Sequence, residues 1–422
     1  MYNYFNTLNH NLKRNILGFC KKVSKNLSRP EFKFVSQIIF GILSSQSCHL
    51  SDIGRSLNEK TSVKKIIDRL SRNLNTFKSG SKAFESYLSA VKSEINDKTI
   101  LIVDGSDITK NYTNKMECIA KVRDGSTGEY KLGYHTLGIT ALTPEKKMPI
   151  PVYTKIYSAE EKGFISEDEE VINGLKFIGK HFKKNNIRAF DRGYDNNRYY
   201  DYLIKNHEKF VIRAKKNRNV IYKGNMINVL DLAHKVKGKY SLKFRKKNGI
   251  SADCKISILP IRLPCRPDEE LNLVVCYGFG TEPMLLITNI NSDDARLGVT
   301  IVKIYLMRWR IEEFYRFKKD QFKFEDLRVR SLKSIRNLDL LLTIAVGYIG
   351  YISENCYEQV TVMQLIECSK RIYGIPEFIF YAIADGLSVV FAKCKHGICD
   401  MLKRKPKSLQ FPLSPDFVFD RL

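Results

Sequence analysis

The chain has 422 residues, 43% of them hydrophobic, which is enough for two or three domains with substantial cores. Lysine and arginine number 71 against 45 acidic residues, a formal charge of +26, so the expected partner is a polyanion and no small-molecule substrate is expected. Ten cysteines without paired spacing exclude a disulfide or zinc framework, and Cys394-Lys395-His396-Gly397-Ile398-Cys399 has no second ligand pair at suitable spacing.

The first 90 residues read as helical and carry 15 basic against 5 acidic side chains. An apolar run spans Phe34–Leu43, and a short amphipathic segment follows over Leu50–Leu57. After a turn at Asn58-Glu59-Lys60, the spacing of Val63, Ile66, Ile67 and Leu70 predicts a helix over Thr61–Asn73 with Thr61 as its cap. Lys64, Lys65, Arg69 and Arg72 fill the rest of that helix, which fits a helix-turn-helix reader of duplex DNA. A plain helical bundle with charged outer faces is the alternative.

From Lys98 the periodicity changes. Thr99–Val103 is a buried strand ending on Asp104, and Gly133–Leu142 and Ile150–Tyr157 read as the second and third strands. A helix over Glu167–Lys183, a strand over Ile187–Phe190 ending on Asp191, a helix over Asn196–Lys205 and a strand over Phe210–Arg213 complete the series. That order predicts an α/β fold of the ribonuclease-H-like kind, with helices on both faces of a mixed sheet. It places Asp104 and Asp191 at strand C-terminal ends. Residues 205–262 carry 16 basic and 3 acidic side chains and begin a β-rich stretch, with strand-like runs at Ser241–Arg245, Ser251–Ile261, Leu271–Tyr277 and Met284–Asn289. Residues 335–422 read as mostly helical, and the apolar stretch Leu338–Ile352 holds Asp339 and is too short to span a bilayer. The expected division is a helical DNA-binding domain over 1–90, a catalytic core over 91–334 interrupted at about 215–295, and a helical C-terminal region over 335–422. With Met1–Asn11 mostly polar, a cytoplasmic, nucleoid-associated protein without membrane contact is expected.

Tyr305, Arg308, Glu312 and Lys319 stand at offsets 0, 3, 7 and 14, which fall along one stripe of an α-helix. A carboxylate between two cations and a phenol suits a metal-binding acid whose neighbours hold phosphate. Ion pairs on a basic amphipathic helix are the plain alternative. Asp104 before Gly105, and Asp191 opening Asp-Arg-Gly-Tyr-Asp, are equally natural turn residues taken singly.

The pattern Tyr-x2-Arg-x3-Glu-x6-Lys, with Arg308-Trp309-Arg310-Ile311-Glu312-Glu313-Phe314 inside it, resembles the signature of a group of bacterial insertion-sequence transposases. These are cut-and-paste DDE enzymes, and with Asp104 and Asp191 the resemblance spans roughly residues 98–331. It implies that Asp104, Asp191 and Glu312 hold two Mg2+ ions, with Mn2+ as a substitute, about 3.5–4 Å apart. It also implies cleavage at the ends of a mobile element, joining of the 3′-hydroxyls to target DNA, a hairpin intermediate as one route, and a homodimer assembled on DNA. Tyr305, Arg308 and Lys319 would hold phosphates at the cut end, and Trp309 would stack on a displaced base or belong to the core. Arg192, just after the second Asp, is expected to meet phosphate, and Lys215, Lys216 and Arg218, beyond the strand Phe210–Arg213, to form a backbone-binding edge. Asp107 and Asp195 are read as lying beyond the strand ends, and His135 as a DNA contact or a sheet histidine. Met284 stands where relatives carry a base-stacking Trp. A structure-specific nuclease or resolvase, and a captured transposase that only binds DNA, are the alternative functions.

Overall fold

A computed structural model describes residues 2–403 except 111–114, 126, 144, 146, 246–250, 292–293, 295, 356–357 and 394–396. Arg404-Lys405-Pro406-Lys407, the last four residues of a basic run that begins at Lys403, and Cys394-Lys395-His396 lie outside the described residues. The chain begins with helices α1 (Tyr2–Val23), α2 (Arg29–Ser45), α3 (Leu50–Ser56), α4 (Val63–Thr76) and α5 (Gly80–Val91). At the start of α2 the Glu31 carboxylate accepts from the Ser28 amide at 3.0 Å, one half of a capping box. The cap of α4 is Ser62 rather than Thr61, and no side-chain hydrogen bond caps it.

Next come β1 (Ile100–Thr109), β2 (Ala120–Arg123), β3 (Tyr130–Leu142), β4 (Pro149–Tyr157), α6 (Glu167–His181), β5 (Ile187–Phe190), α7 (Asn197–Lys205) and β6 (Phe210–Arg213). The first turn of α6 holds Glu167, Asp168, Glu169 and Glu170 and its last turn Lys180 and His181, which suits the helix dipole at both ends. β3 pairs antiparallel with β1 and β4, while β5 runs parallel to both β1 and β6. The order β4-β3-β1-β5-β6, three antiparallel strands and then two parallel ones, is the ribonuclease-H-like order. Ile100–Val103 are all buried, as a strand covered on both faces requires.

Two expectations are corrected here. β1 runs on to Thr109 as a long arm paired with β3, so Asp104 lies within the strand, at the point where pairing with β5 stops at Val103. Asp107 is likewise inside β1, opposite His135, rather than beyond its end.

The β-rich stretch comprises β7 (Asn219–Tyr222), β8 (Asn225–Asn228), α8 (Val229–Lys235), β9 (Tyr240–Arg245), β10 (Ser251–Leu263), β11 (Arg266–Tyr277) and β12 (Met284–Thr288). β12 pairs antiparallel with β6, so the insertion extends the core sheet to 12 strands. Five helices follow: α9 (Leu297–Met307), α10 (Arg310–Arg316), α11 (Leu332–Glu354), α12 (Gln359–Ser369) and α13 (Phe380–Ala392).

The two faces of the sheet can be read from adjacent residues. Leu137 and Tyr153 meet α6 at Gly174, whereas Gly138 and Thr154 meet Tyr315 of α10 and Asp339 of α11. α11 also packs on α2, α4 and α5, so the N-terminal helices share a hydrophobic core with it. α11 has 23 residues and is long and apolar enough to cross a membrane, but 83% of its most apolar window is buried inside the protein. Its apolar character is explained by that core.

At the end of β5 remote from Asp191, buried Arg188 pairs with buried Glu208 at 3.2 Å and donates to the carbonyls of Lys183 and Lys184 at 3.1 and 2.9 Å. Burial lowers the Arg188 pKa and raises that of Glu208, each partly offset by the other's charge. Arg188→Ala is expected to lower the unfolding free energy by about 3–5 kcal/mol, because it strands the Glu208 charge. Adding Glu208→Gln should recover part of that loss. Equilibrium urea denaturation checks both, and a loss below about 1 kcal/mol would show the pair to be dispensable.

Candidate active site

The stretch that carries the site is not one regular helix. α9 ends at Met307, and the Arg308 amide donates to the Tyr305 carbonyl at 3.0 Å, Ile311 to Arg308 at 3.1 Å and Glu312 to Trp309 at 3.1 Å. These i to i+3 bonds tighten the backbone ahead of α10, and a π-helical turn over Phe317–Gln321 then widens it. The expected single stripe is therefore interrupted twice. Tyr305 nonetheless bonds Asp191, and Arg308 bonds both Asp104 and Glu312.

Arg308 is the hub. Its Nη1 donates to Asp104 Oδ2 at 2.8 Å and its Nη2 to Glu312 Oε1 at 2.6 Å, with 11% of the side chain exposed. The Tyr305 hydroxyl donates to Asp191 Oδ1 at 3.0 Å, and the Arg308 guanidinium lies 5.9 Å from the Tyr305 ring centre. Burial pushes the Asp104 carboxyl up to about 7, against the pull of Arg308, and the charges of Asp191 and Glu312 push it the same way. Burial would lower the Arg308 pKa, but Asp104 and Asp191 raise it and keep the guanidinium charged. Burial, with the Asp191 charge, also raises the Tyr305 phenol. Asp104, Asp191 and Glu312, from β1, the end of β5 and α10, thus form one interacting acidic set.

Lys319 lies at the rim, 3.1 Å from Glu325 and 3.7 Å from Asp107. Asp104, Asp107, Glu312, Lys319 and Glu325 line an open cavity of about 490 Å3. Trp309 is partly exposed, with the Arg316 guanidinium 6.0 Å from its ring centre. His135 stacks on Tyr157 at 5.4 Å and lies 3.4 Å from Glu167, which makes it a partnered sheet residue.

The remaining sequence candidates are spread more widely. Arg192 is exposed in the turn after Asp191 and lines a cavity of about 220 Å3 with Arg213, Lys216, Phe279 and Met284. Lys215 is exposed, and Lys216 forms an ion pair with Glu282. Lys64 and Lys65 are exposed on α4, but Arg69 is engaged with Glu59 through bonds of 2.6 and 2.8 Å. That doubly bonded pair holds the Arg69 guanidinium against Glu59, with 36% of its side chain exposed.

Three residues at the site are not singled out by the sequence motif. Asp195 is fully buried and accepts from Tyr200 Oη at 2.9 Å, the Lys215 amide at 2.7 Å and Arg218 Nε at 2.9 Å, so it joins the turns that follow β5 and β6. Arg218 is therefore committed to that junction. Tyr315 donates to the Asp104 carbonyl at 2.8 Å, and Lys318 is buried against Asp339 at 2.6 Å. The spacing of Tyr315 from Glu312, three residues on a helix, is the one sequence signal that could have marked it.

Among the described residues, no three His, Cys, Asp or Glu side chains are grouped tightly enough to hold a metal ion as they stand. Arg308 lies between Asp104 and Glu312 and keeps them apart. The donor set nevertheless fits a hard divalent cation in kind: three carboxylates, one pushed up to about 7 by burial and by the other two.

The fold is thus a ribonuclease-H-like mixed sheet, with Asp104, Asp191 and Glu312 brought near one another from β1, the end of β5 and α10. The transposase DDE domain family model matches residues 95–347, and the chain belongs to that family. No curated protein matches it. Among solved structures it is similar to a piggyBac transposase synaptic complex with hairpin DNA, at 11% identity over 97% of this chain and 85% of that one, with a TM-score of 0.42. It is also similar to the NurA nuclease from Sulfolobus solfataricus, at 8% identity over 58% of this chain and 86% of that one, with a TM-score of 0.25. Neither likeness bears on function.

Proposed function

We propose that the chain is an insertion-sequence transposase of the Tyr-Arg-Glu-Lys group, which cuts at the ends of its element and joins the freed 3′-hydroxyls to target DNA. The observation that carries this reading is the convergence of Asp104, Asp191 and Glu312 around Arg308 and Tyr305. Those three carboxylates would hold Mg2+ or Mn2+. Bound there, the divalent ions would activate the attacking oxygen and stabilise the leaving one.

The chain's own groups do the rest. Arg308 presents two donors in a planar fork, suited to a phosphate that enters between Asp104 and Glu312. Tyr305 orients Asp191 through its hydroxyl. Lys319 adds a positive charge at the cavity rim, where the strand would pass. Met284 is buried at the start of β12 with 2% exposure, so it offers no stacking surface and does not support a hairpin step.

The duplex would leave the cavity along a groove of about 870 Å3 between α4 and the segment leading into α11, lined by Arg72, Arg328 and Arg330. Leu327 and Val329 are buried while Arg328 and Arg330 are exposed, so this extended segment aims both guanidiniums outward. In the full chain, changing Arg328 and Arg330 together to Gln should weaken duplex binding uniformly across sequences. The dependence of log affinity on log salt should become shallower by roughly 2, at about 0.9 per phosphate lost. Fluorescence anisotropy over a salt series checks this, and an unchanged slope would remove the groove from the DNA path.

A further inference from the structure

We propose that Tyr315 is a positioning residue that sets the separation between Asp104 and Glu312, and that Gly138 is the notch that admits it. This rests on the metal-centre reading above and assigns a part to two residues outside the motif.

Asp104 of β1, Gly138 of β3 and Thr154 of β4 are register mates, so they form one row across the sheet. Tyr315 lies on α10, three residues after Glu312, and its buried hydroxyl enters this row. The hydroxyl donates to the Asp104 carbonyl at 2.8 Å, directly opposite Gly138 in the β1–β3 ladder. It therefore ties α10 to β1 at Asp104 and lies against its partner Gly138, just beyond Val103, where the β1–β5 ladder ends.

Only a residue without a side chain leaves room for that contact. A Cβ on Gly138 would stand 2.5 Å from the Tyr315 hydroxyl oxygen and 3.1 Å from Cζ, so the ring would have to move. The third member of the row fixes the same helix from the other side. Thr154 donates to Asp339 Oδ2 at 2.6 Å, and Asp339 Oδ1 accepts from Lys318 at 2.6 Å, three residues beyond Tyr315. Lys318 lies within the π-helical turn, which brings it inward while Lys319 remains at the cavity rim. A rigid phenol joined to one strand at its tip and to the helix at its base sets how far Glu312 stands from Asp104. Gly138 fixes how deeply the ring inserts.

The test uses the full chain with Gly138→Ala, Tyr315→Phe and the double variant. Mn2+ affinity is read by electron paramagnetic resonance, alongside duplex affinity and thermal melting. Gly138→Ala should weaken Mn2+ binding by at least about tenfold, the scale for groups that orient metal ligands, with duplex affinity unchanged. The double variant should bind Mn2+ better than Gly138→Ala alone, since removing the hydroxyl removes the atom that the new methyl group meets first. A folded Gly138→Ala protein with wild-type Mn2+ affinity, or a double variant no better than the single one, would overturn the proposal. Should Gly138→Ala not fold, Tyr315→Phe decides: a several-fold loss of Mn2+ affinity supports the proposal and an unchanged affinity overturns it. A wild-type chain that binds no Mn2+ at the triad would overturn the functional reading, and this proposal with it.

Discussion

Replacing Asp104 or Asp191 with Asn, or Glu312 with Gln, is expected to slow cleavage of element-end DNA by about a thousandfold or more in each case. The three acids act as a unit, so losing one should cost nearly as much as losing all. Their electrostatic coupling is already visible in the upward push that Asp191 and Glu312 exert on the Asp104 carboxyl. Duplex binding should persist in all three variants, since the exposed cations of α4 and of the Arg328–Arg330 segment are elsewhere. Cleavage on end-labelled duplex, with anisotropy on the same preparations, separates the two effects. Wild-type cleavage in any one variant would remove that residue from the centre.

Arg308 is expected to be almost as sensitive. Its guanidinium bridges Asp104 and Glu312 at 2.8 and 2.6 Å, a geometry that two prongs satisfy and one ammonium does not. Arg308→Gln should lower cleavage by about a hundredfold or more, on the scale of removing one preorganised donor from a reaction centre. Arg308→Lys should be nearly as damaging. Both variants should keep the wild-type circular dichroism spectrum. If Arg308 served only an i to i+4 ion pair on a solvated helix, either change would alter stability by well under about 1 kcal/mol and leave cleavage intact. Unimpaired cleavage in both variants would establish that plain role.

The catalytic sheet was legible because its strands are marked by their own residues. Ile100–Val103 is a short apolar run and Ile187–Phe190 is apolar except for Arg188; each is followed by an acid, and pairing in register brings the two acids to one edge. The four-residue strands β2, β7 and β8 left no comparable trace; β8, Asn225-Met226-Ile227-Asn228, has two exposed and two half-buried residues. The motif singled out Tyr305, Arg308, Glu312 and Lys319; Glu312 and Lys319 line one cavity, Arg308 bonds Glu312, and Tyr305 bonds Asp191. The breaks in their helix were not legible, because neither the tight turn at Arg308-Trp309 nor the wide turn at Phe317–Gln321 contains Gly or Pro. Each break accompanies a distant bond: Arg308 to Asp104, and Lys318 to Asp339. Arg69 shows a contact that helical spacing does not reveal. Helical spacing placed it beside Lys64 and Lys65, while Glu59, in the preceding turn, holds its guanidinium.

The most direct measurement is metal-directed cleavage of the polypeptide itself. Fe2+ in place of Mg2+, with ascorbate and peroxide, generates radicals that cut the backbone beside the bound ion. Fragments ending close to residues 104, 191 and 312, all suppressed by excess Mg2+, would show that these three distant segments hold one divalent centre. Cuts elsewhere in the chain, or cuts that Mg2+ does not suppress, would contradict it.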